Sequence, residues 1–223
     1  MLFAGAHVTS PHGVFEGISG MPPSTDPRSS GTRARAGGRT AKLSRDVIVN
    51  AALAFLDRKG WDSLTINALA NHLGTKGPSL YNHVDSLDDL RRAVRMRVID
   101  DIIGMINTAA EGRVRDDAVL VTAAAYRSYA HHHPGRYAAF TRLPFGDDDP
   151  EYAAATKAAA APVIAVLASY GLTPDQAYVA ALEFWSAIHG FVLLEMTGVM
   201  DDVDADAVFS DMVLRLSVGL QKR

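Results

Sequence analysis

Residues 62–84 read DSLTINALANHLGTKGPSLYNHV, and this stretch decides the fold. Ser63 is placed to cap a helix of about two and a half turns, with Leu64, Ala68 and Leu69 on its inner face. Gly74 ends that helix and supplies the positive φ of a tight turn. A second short helix is expected over Lys76–His83, with Pro78 tolerated only in its first turn and Leu80 as the buried anchor. Two short helices joined by a glycine turn make a helix-turn-helix, whose second helix enters a major groove with its N-terminal residues against base edges. The same spacing also fits a surface helix pair in an all-α core.

The side chains of the second helix suit a polyanion. Thr75, Lys76, Ser79, Tyr81, Asn82 and His83 are hydrogen-bonding groups with no acid among them. Lys76 can reach guanine acceptors or phosphate, Asn82 can read adenine, and Tyr81 and His83 suit phosphate. Gly77 lets the backbone approach a duplex closely. Upstream, Val47, Ile48, Ala51, Phe55 and Leu56 fall on one helical face, with Ser44 as N-cap and Lys59–Gly60 as the stop. Trp61 then plugs a small core. Downstream, Leu87, Leu90, Val94, Val98, Ile102 and Met105 step by three or four, while Arg91, Arg92, Arg95 and Arg97 occupy other faces. This is a long helix that connects the front of the chain to the rest, and Gly104 and Gly112 allow it to bend.

The segment from Leu64 to Val94 resembles the DNA-binding segment of the TetR family of one-component transcriptional regulators. The resemblance rests on the Leu64–Thr65 helix start, the Gly74 turn, the Leu80-Tyr81-x-His83 motif and Leu90, and it covers about residues 43–92. It implies DNA contact by Ser44, Thr65, Thr75, Lys76, Ser79, Tyr81, Asn82 and His83. Two positions depart from the family pattern. Val84 replaces an aromatic, and Leu87 replaces a lysine, which removes a phosphate-contacting cation and leaves Ser86 as the nearest donor.

The chain has 223 residues, 48% hydrophobic and 21% charged, enough for one large or two small domains. It has no cysteine, which excludes disulfides, thiolate catalysis and cysteine-based metal sites, and fits a cytoplasmic protein. No stretch approaches the roughly 18–20 uninterrupted apolar residues of a membrane helix, so no membrane partner is expected. Thirteen lysines and arginines face nine acids in residues 1–100, against nine and sixteen in residues 101–223, so only the front half suits a polyanion. Residues 1–40 form a tail in which glycine, proline, serine and threonine supply 20 positions. Arg28, Arg33, Arg35, Arg39, Lys42 and Arg45 make its end either a basic arm that tracks phosphates or a passive solubilising extension. The domain boundaries expected are 1–40 for the tail, 41–90 for the helix-turn-helix and 91–223 for a helical effector-binding and dimerisation domain.

The rear half reads as five further helices, over Asp116–His132, Pro134–Arg142, Pro150–Gly171, Pro174–Thr197 and Asp206–Lys222, giving an all-α bundle. The helix containing LEFWSAIHGFVLLEM is apolar nearly all round and belongs in a core or an interface. Gly190 in its interior costs about 1 kcal/mol, which close helix approach beside Ser186 would offset. Trp185, His189 and Gly190 resemble the tryptophan–histidine–glycine signature of one TetR-family C-terminal group. That resemblance implies a four-helix dimer interface from the last two helices, involving Ser186, Gly190, Phe209, Val213, Leu216 and Leu220. His189 is expected to bond a carbonyl or carboxylate in the core, with a ligand role as the alternative.

Consecutive His131, His132 and His133 point about 100° apart on a helix and do not share one ion. Asp202, Asp204 and Asp206 have calcium-loop spacing, but Ala207 and Val213 stand where such a loop needs glycine and glutamate. No G-x-S-x-G, G-x-x-x-x-G-K-[ST] or G-x-G-x-x-G motif occurs. Neither an enzyme nor a cofactor or metal is expected. The resemblance implies a homodimeric regulator, a repressor released from a pseudo-palindromic double-stranded operator by a small hydrophobic or aromatic effector. Tyr126, Tyr129, Phe140, Phe184, Trp185, His189 and Glu195 are the candidate effector-binding residues. The alternatives are an all-α metal-binding or enzymatic bundle, and a DNA-binding protein without an effector.

Overall fold

The computed structural model describes residues 42–142 and 149–221, so the basic tail lies outside the described residues. Ten α-helices and no strand occur among them. Helix α1 (Arg45–Lys59) starts at Ser44, whose hydroxyl accepts from the Val47 amide, and stops at Gly60 with φ of 78°. Helix α2 (Ile66–His72) is capped by Thr65, not by Ser63. A short 3₁₀ turn at Trp61–Ser63 takes up the expected cap, and the Ser63 hydroxyl donates back to the Lys59 carbonyl. Leu64 and Thr65 then run extended, so helix geometry starts two residues later. Gly74 makes the turn with φ of 66°. Helix α3 (Gly77–Leu80) is shorter than the sequence predicts, because the chain beyond Leu80 closes into a turn in which His83 and Val84 both donate to the Leu80 carbonyl.

Helix α4 (Leu87–Ala110) is capped by Ser86 and buries Leu90, Val94, Val98, Ile99, Ile102 and Ile106. It continues unbroken past residue 90, and residues 41–223 form one compact unit. Helices α5 (Arg115–His132) and α6 (Pro134–Thr141) are separated by Pro134, which cannot continue the i→i−4 ladder of α5. The single helix expected over 150–171 is two helices, α7 (Pro150–Ala158) and α8 (Ala161–Ala168). Pro162 lacks an N–H and its ring collides with the carbonyl four residues back, so alanine content alone does not carry the helix through Ala159–Ala160. Among the described residues the rear half therefore has six helices. Helix α9 (Pro174–Met196) opens with a capping box in which Thr173 and Gln176 satisfy each other's backbone amides. Helix α10 (Ala205–Gln221) is capped by Asp204, which accepts from the Ala207 amide.

Helix α9 is long and apolar enough by composition to cross a bilayer, as is the stretch Pro150–Ala168. In this fold one apolar face of α9 packs on α5, α8 and α10, as expected of a core helix, while a second stays exposed.

Helix α6 packs against both α1 and α4. The contact with α1 is backbone to backbone at Gly135, where a Cβ would overlap the Leu56 carbonyl. One residue on, Arg136 donates to Asp57 of α1 at 2.7 and 3.1 Å and to Asp101 of α4 at 3.3 Å. Gly135→Ala should therefore destabilise the protein by about 1–3 kcal/mol, because a packed helix pair must move apart. Gly104→Ala, on an exposed part of α4 with nothing within 4 Å of the added methyl, should stabilise it by about 0.5–1 kcal/mol. Urea unfolding of the two variants checks this, and equal effects would refute the close α6–α1 contact.

Candidate nucleic-acid interface and effector cavity

The α2–α3 unit is held from below by Ile66, Leu69, Ala70 and Leu80, all buried, which leaves its polar residues outward. Lys76, Tyr81 and Asn82 are exposed, while Thr75, Ser79 and His83 are half-buried beside them. Tyr81 is 54% exposed, the one large aromatic side chain of this unit turned to solvent. Ser44 and Thr65 lie at the surface with their hydroxyl oxygens accepting from cap amides, so each can still donate outward. Between Ser63 and Val84 there is no acid to oppose a phosphate.

Two residues differ from their expected roles. Arg45, read as part of the basic arm, is paired with Asp89 at 2.6 and 2.7 Å and also donates to the His83 carbonyl. Its guanidinium holds the Asp89 carboxyl below the usual carboxylate range, and the pair clamps the start of α1 to the start of α4. Gly77 is needed inside the protein as well as outside it, since a Cβ there would sit 2.9 Å from the Asn67 side-chain oxygen of α2.

A cavity of about 390 Å³ lies between α6, the α7–α8 pair and α9, a volume in the ordinary range for small-molecule sites. Phe140, Trp185 and Tyr178 form its aromatic walls, small residues such as Ala159 and Ala181 leave the space, and His189 is its basic group. Of the candidate residues, Phe140, Trp185 and His189 line this cavity. Tyr126 stands behind it, with its ring 4.6 Å from Trp185 and its hydroxyl 3.5 Å from His189 Nδ1. Tyr129, Phe184 and Glu195 are placed elsewhere. Tyr129 stacks on His133, Phe184 is buried on another face of α9, and Glu195 belongs to an ion cluster. Sequence reasoning missed Thr141, Thr156 and Tyr178. The Tyr178, Leu182, Trp185, His189 spacing along one face of α9 is the signal that could have found the rim.

His189 bonds neither a carbonyl nor a carboxylate. Its Nδ1 lies 2.7 Å from the Tyr137 hydroxyl. Burial pushes the imidazole pKa down, and pushes Tyr137 up to about 12. The aromatic cluster of Tyr126, Tyr137, Phe140, Trp185 and His189 thus joins α5, α6 and α9 around one wall of the cavity.

The stripe expected at the dimer interface turns inward. Phe209, Val213 and Leu220 are buried within the protomer and Leu216 is half-buried, with Phe209 5.1 Å from Phe191 of α9. Periodicity marks an apolar face but not which neighbour covers it, and α10 has two such faces. The outward one carries Val208, Leu214 and Val218, beside Val179, Leu182, Leu193 and Leu194 on α9. Ser186 lies exposed on this α9 face, and a Cβ on Gly190 would meet nothing within 4 Å, so the expected close approach at Gly190 does not occur within the protomer.

Arg127 of α5 binds Glu195 through two nitrogens and pairs with Asp206 at 2.7 Å, over the Phe209 ring. His131 Nε2 meets Glu195 at 2.7 Å, His132 meets the Ser128 carbonyl and His133 meets Asp57, so the three histidines face three different partners. Among the described residues no cluster of histidine and carboxylate could hold a metal ion.

A helix pair that turns hydrogen-bonding groups and no acid outward, carried on a helical bundle with an apolar cavity, is the layout of a helix-turn-helix transcriptional regulator. Residues 48–94 match the family model of bacterial regulatory proteins of the tetR family, and residues 119–216 match the tetracyclin repressor-like C-terminal domain. The chain is 74% identical over 201 residues to the uncharacterized HTH-type transcriptional regulator Rv0681 of Mycobacterium tuberculosis, covering 87% of this chain and 92% of that one. The chain belongs to the TetR family of DNA-binding transcriptional regulators. Its fold is shared by a TetR protein of Acinetobacter baumannii solved in complex with minocycline, at 23% identity and a TM-score of 0.60, covering 81% of this chain and 98% of that one. It is shared as well by ActR of Streptomyces coelicolor solved with (S)-DNPA, at 21% identity and a TM-score of 0.58, covering 82% and 98%.

The Arg127 hydrogen bonds, opposed by burial and aided by His131, hold the Glu195 pKa at about 2 against an ordinary value of 4.5. A depressed carboxylate contributes stability that is present above its unfolded pKa and lost as the pH falls through its folded one, here between 4.5 and about 2. Urea unfolding of wild type and Glu195→Gln should show a stability gap that is constant above about pH 5 and closes with acid. A gap independent of pH would show that Glu195 has no part in the acid response.

Proposed function

We propose that the protein is a homodimeric repressor acting in the cytoplasm, released from a pseudo-palindromic operator when a small hydrophobic or aromatic effector enters the cavity. The observation that carries this reading is the double role of α6. Phe140 and Thr141 at its end line the cavity, while Gly135 and Arg136 at its start rest on Leu56 and Asp57 of α1. A ligand that displaces α6 therefore acts on the DNA module through a contact with no slack. The two solved proteins that share the fold and carry minocycline or (S)-DNPA support a small-molecule effector.

Repression requires two recognition helices about 34–36 Å apart, one for each successive major-groove face. An effector that binds better to a dimer with another spacing weakens operator binding by its differential affinity. The partner surface is the apolar outward face of α9 and α10, with Leu193 and Leu194 each about half exposed in the single chain. In the proposed complex Lys76 reads a base edge, Tyr81 and His83 hold phosphates, and Ser44, Thr65, Thr75, Ser79 and Asn82 complete the contact.

Selection of bound duplexes from a random pool should return a two-fold symmetric site. Tyr81→Ala or His83→Ala should weaken binding to all sequences alike, whereas Lys76→Ala should change base preference by about 1–3 kcal/mol. Undiminished operator affinity in all three variants would refute the recognition-helix assignment. Gly190→Leu has room within the protomer, so conversion of dimer to monomer in sedimentation would report an interface contact alone. An unchanged dimer would remove Gly190 from the interface.

A further inference from the structure

Among the described residues the side chains with polar atoms that line the cavity are Thr141, Thr156, Tyr178, Trp185 and His189. His189 Nδ1 is committed to the Tyr137 hydroxyl, beside which the Tyr126 hydroxyl also lies. Both hydroxyls lie within hydrogen-bond reach of Nδ1, 2.7 Å for Tyr137 and 3.5 Å for Tyr126, and a bare Nδ1 accepts from them. Were Nδ1 protonated, both hydroxyl hydrogens would lose that acceptor, in side chains each only 3% exposed. The imidazole is therefore neutral with its proton on Nε2, in agreement with the effect of burial on this group. Among the described residues Nε2 has no hydrogen-bond partner, and His189 lines the cavity.

The two threonines of the wall point the other way, whereas the Tyr178 hydroxyl and the Trp185 Nε1–H are further donors on residues that line the cavity. The Thr141 hydroxyl donates to the Tyr137 carbonyl at 3.0 Å and the Thr156 hydroxyl to the Tyr152 carbonyl at 2.9 Å, so both present only lone pairs to a ligand. Among the described residues no lysine, arginine, aspartate or glutamate lines the cavity. An ionised ligand would lose its hydration there and find no countercharge.

We infer that the cavity selects an uncharged aromatic ligand bearing a carbonyl, which accepts the Nε2–H of His189 while the ring packs between Phe140 and Trp185. A hydroxyl on the same ligand, donating to Thr141 or Thr156, adds to the fit without being required. The inference rests on the effector reading above, and names the chemical class that His189 enforces.

Three probes of nearly equal shape test it by calorimetry at neutral pH: naphthyl methyl ketone, isopropylnaphthalene and naphthoate. Wild type should bind the ketone about tenfold more tightly than the hydrocarbon, because the hydrocarbon leaves a buried donor unpaired, and should bind naphthoate most weakly. His189→Phe should bring the ketone and the hydrocarbon to within about twofold of each other, and His189→Gln, which keeps an N–H, should restore part of the preference. Circular dichroism and thermal unfolding of each variant, without probe, check the fold. Tightest binding of naphthoate, or a ketone preference that survives His189→Phe, would overturn this inference while leaving the effector reading standing. Failure of wild type to bind any of the three would overturn the effector reading and this inference together.

Discussion

The meeting of Gly135 with the Leu56 carbonyl is the constraint on which the rest of the molecule turns. A side chain at 135 would hold α6 away from α1, and the Arg136 guanidinium would no longer reach Asp57 and Asp101 together. Interiors packed at this density do not deform smoothly, so a shift of α6 must either carry α1 with it or break the ion pairs. His133, at the corner between α5 and α6, also meets Asp57 and ties that corner to the same carboxylate. One aspartate on α1 thus receives the start of the helix whose far end borders the cavity.

Electrostatics divides the molecule by role. On the helix-turn-helix the cations with structural partners, such as Arg45 with Asp89, hold helices together, and Lys76 is left outward. In the bundle, Arg127 with Glu195 and Arg92 with Asp149 and Glu151 join elements far apart in sequence. The acidic surplus of residues 101–223 is partly absorbed in such pairs. The charge count of the front half therefore overstates the cations available to phosphate, and individual partners decide which ones are.

The sequence was most legible where one residue type answers one local geometric need. Ser44, Gly60, Gly74 and Thr173 mark helix ends because caps and positive φ admit few alternatives. It was less legible where two neighbours could serve. Ser63 and Thr65 are both good caps, and the 3₁₀ turn at Trp61 selects the second. The break before Pro162 was hidden by the alanines around it. Which face of α10 is internal, and that His189 answers to a tyrosine rather than a carbonyl, depend on neighbours from other helices that no local pattern names. The recognition motif could be read because its chemistry is contiguous, whereas the cavity is assembled from four separate helices, and its small residues carry no signal of their own.

The alanines of the cavity wall have a consequence for how such a regulator can diversify. Ala159 and Ala181 set how much room a ligand has, yet the groups that link the wall to α1 are Tyr137, Gly135 and Arg136. Size and signal are thus written in different residues. A methyl group gained or lost at either alanine reshapes the chamber by a fraction of its 390 Å³ and leaves the α6–α1 contact as it is. Under the proposed effector reading, the scaffold can exchange one ligand for another by single steps that leave the α6–α1 contact untouched.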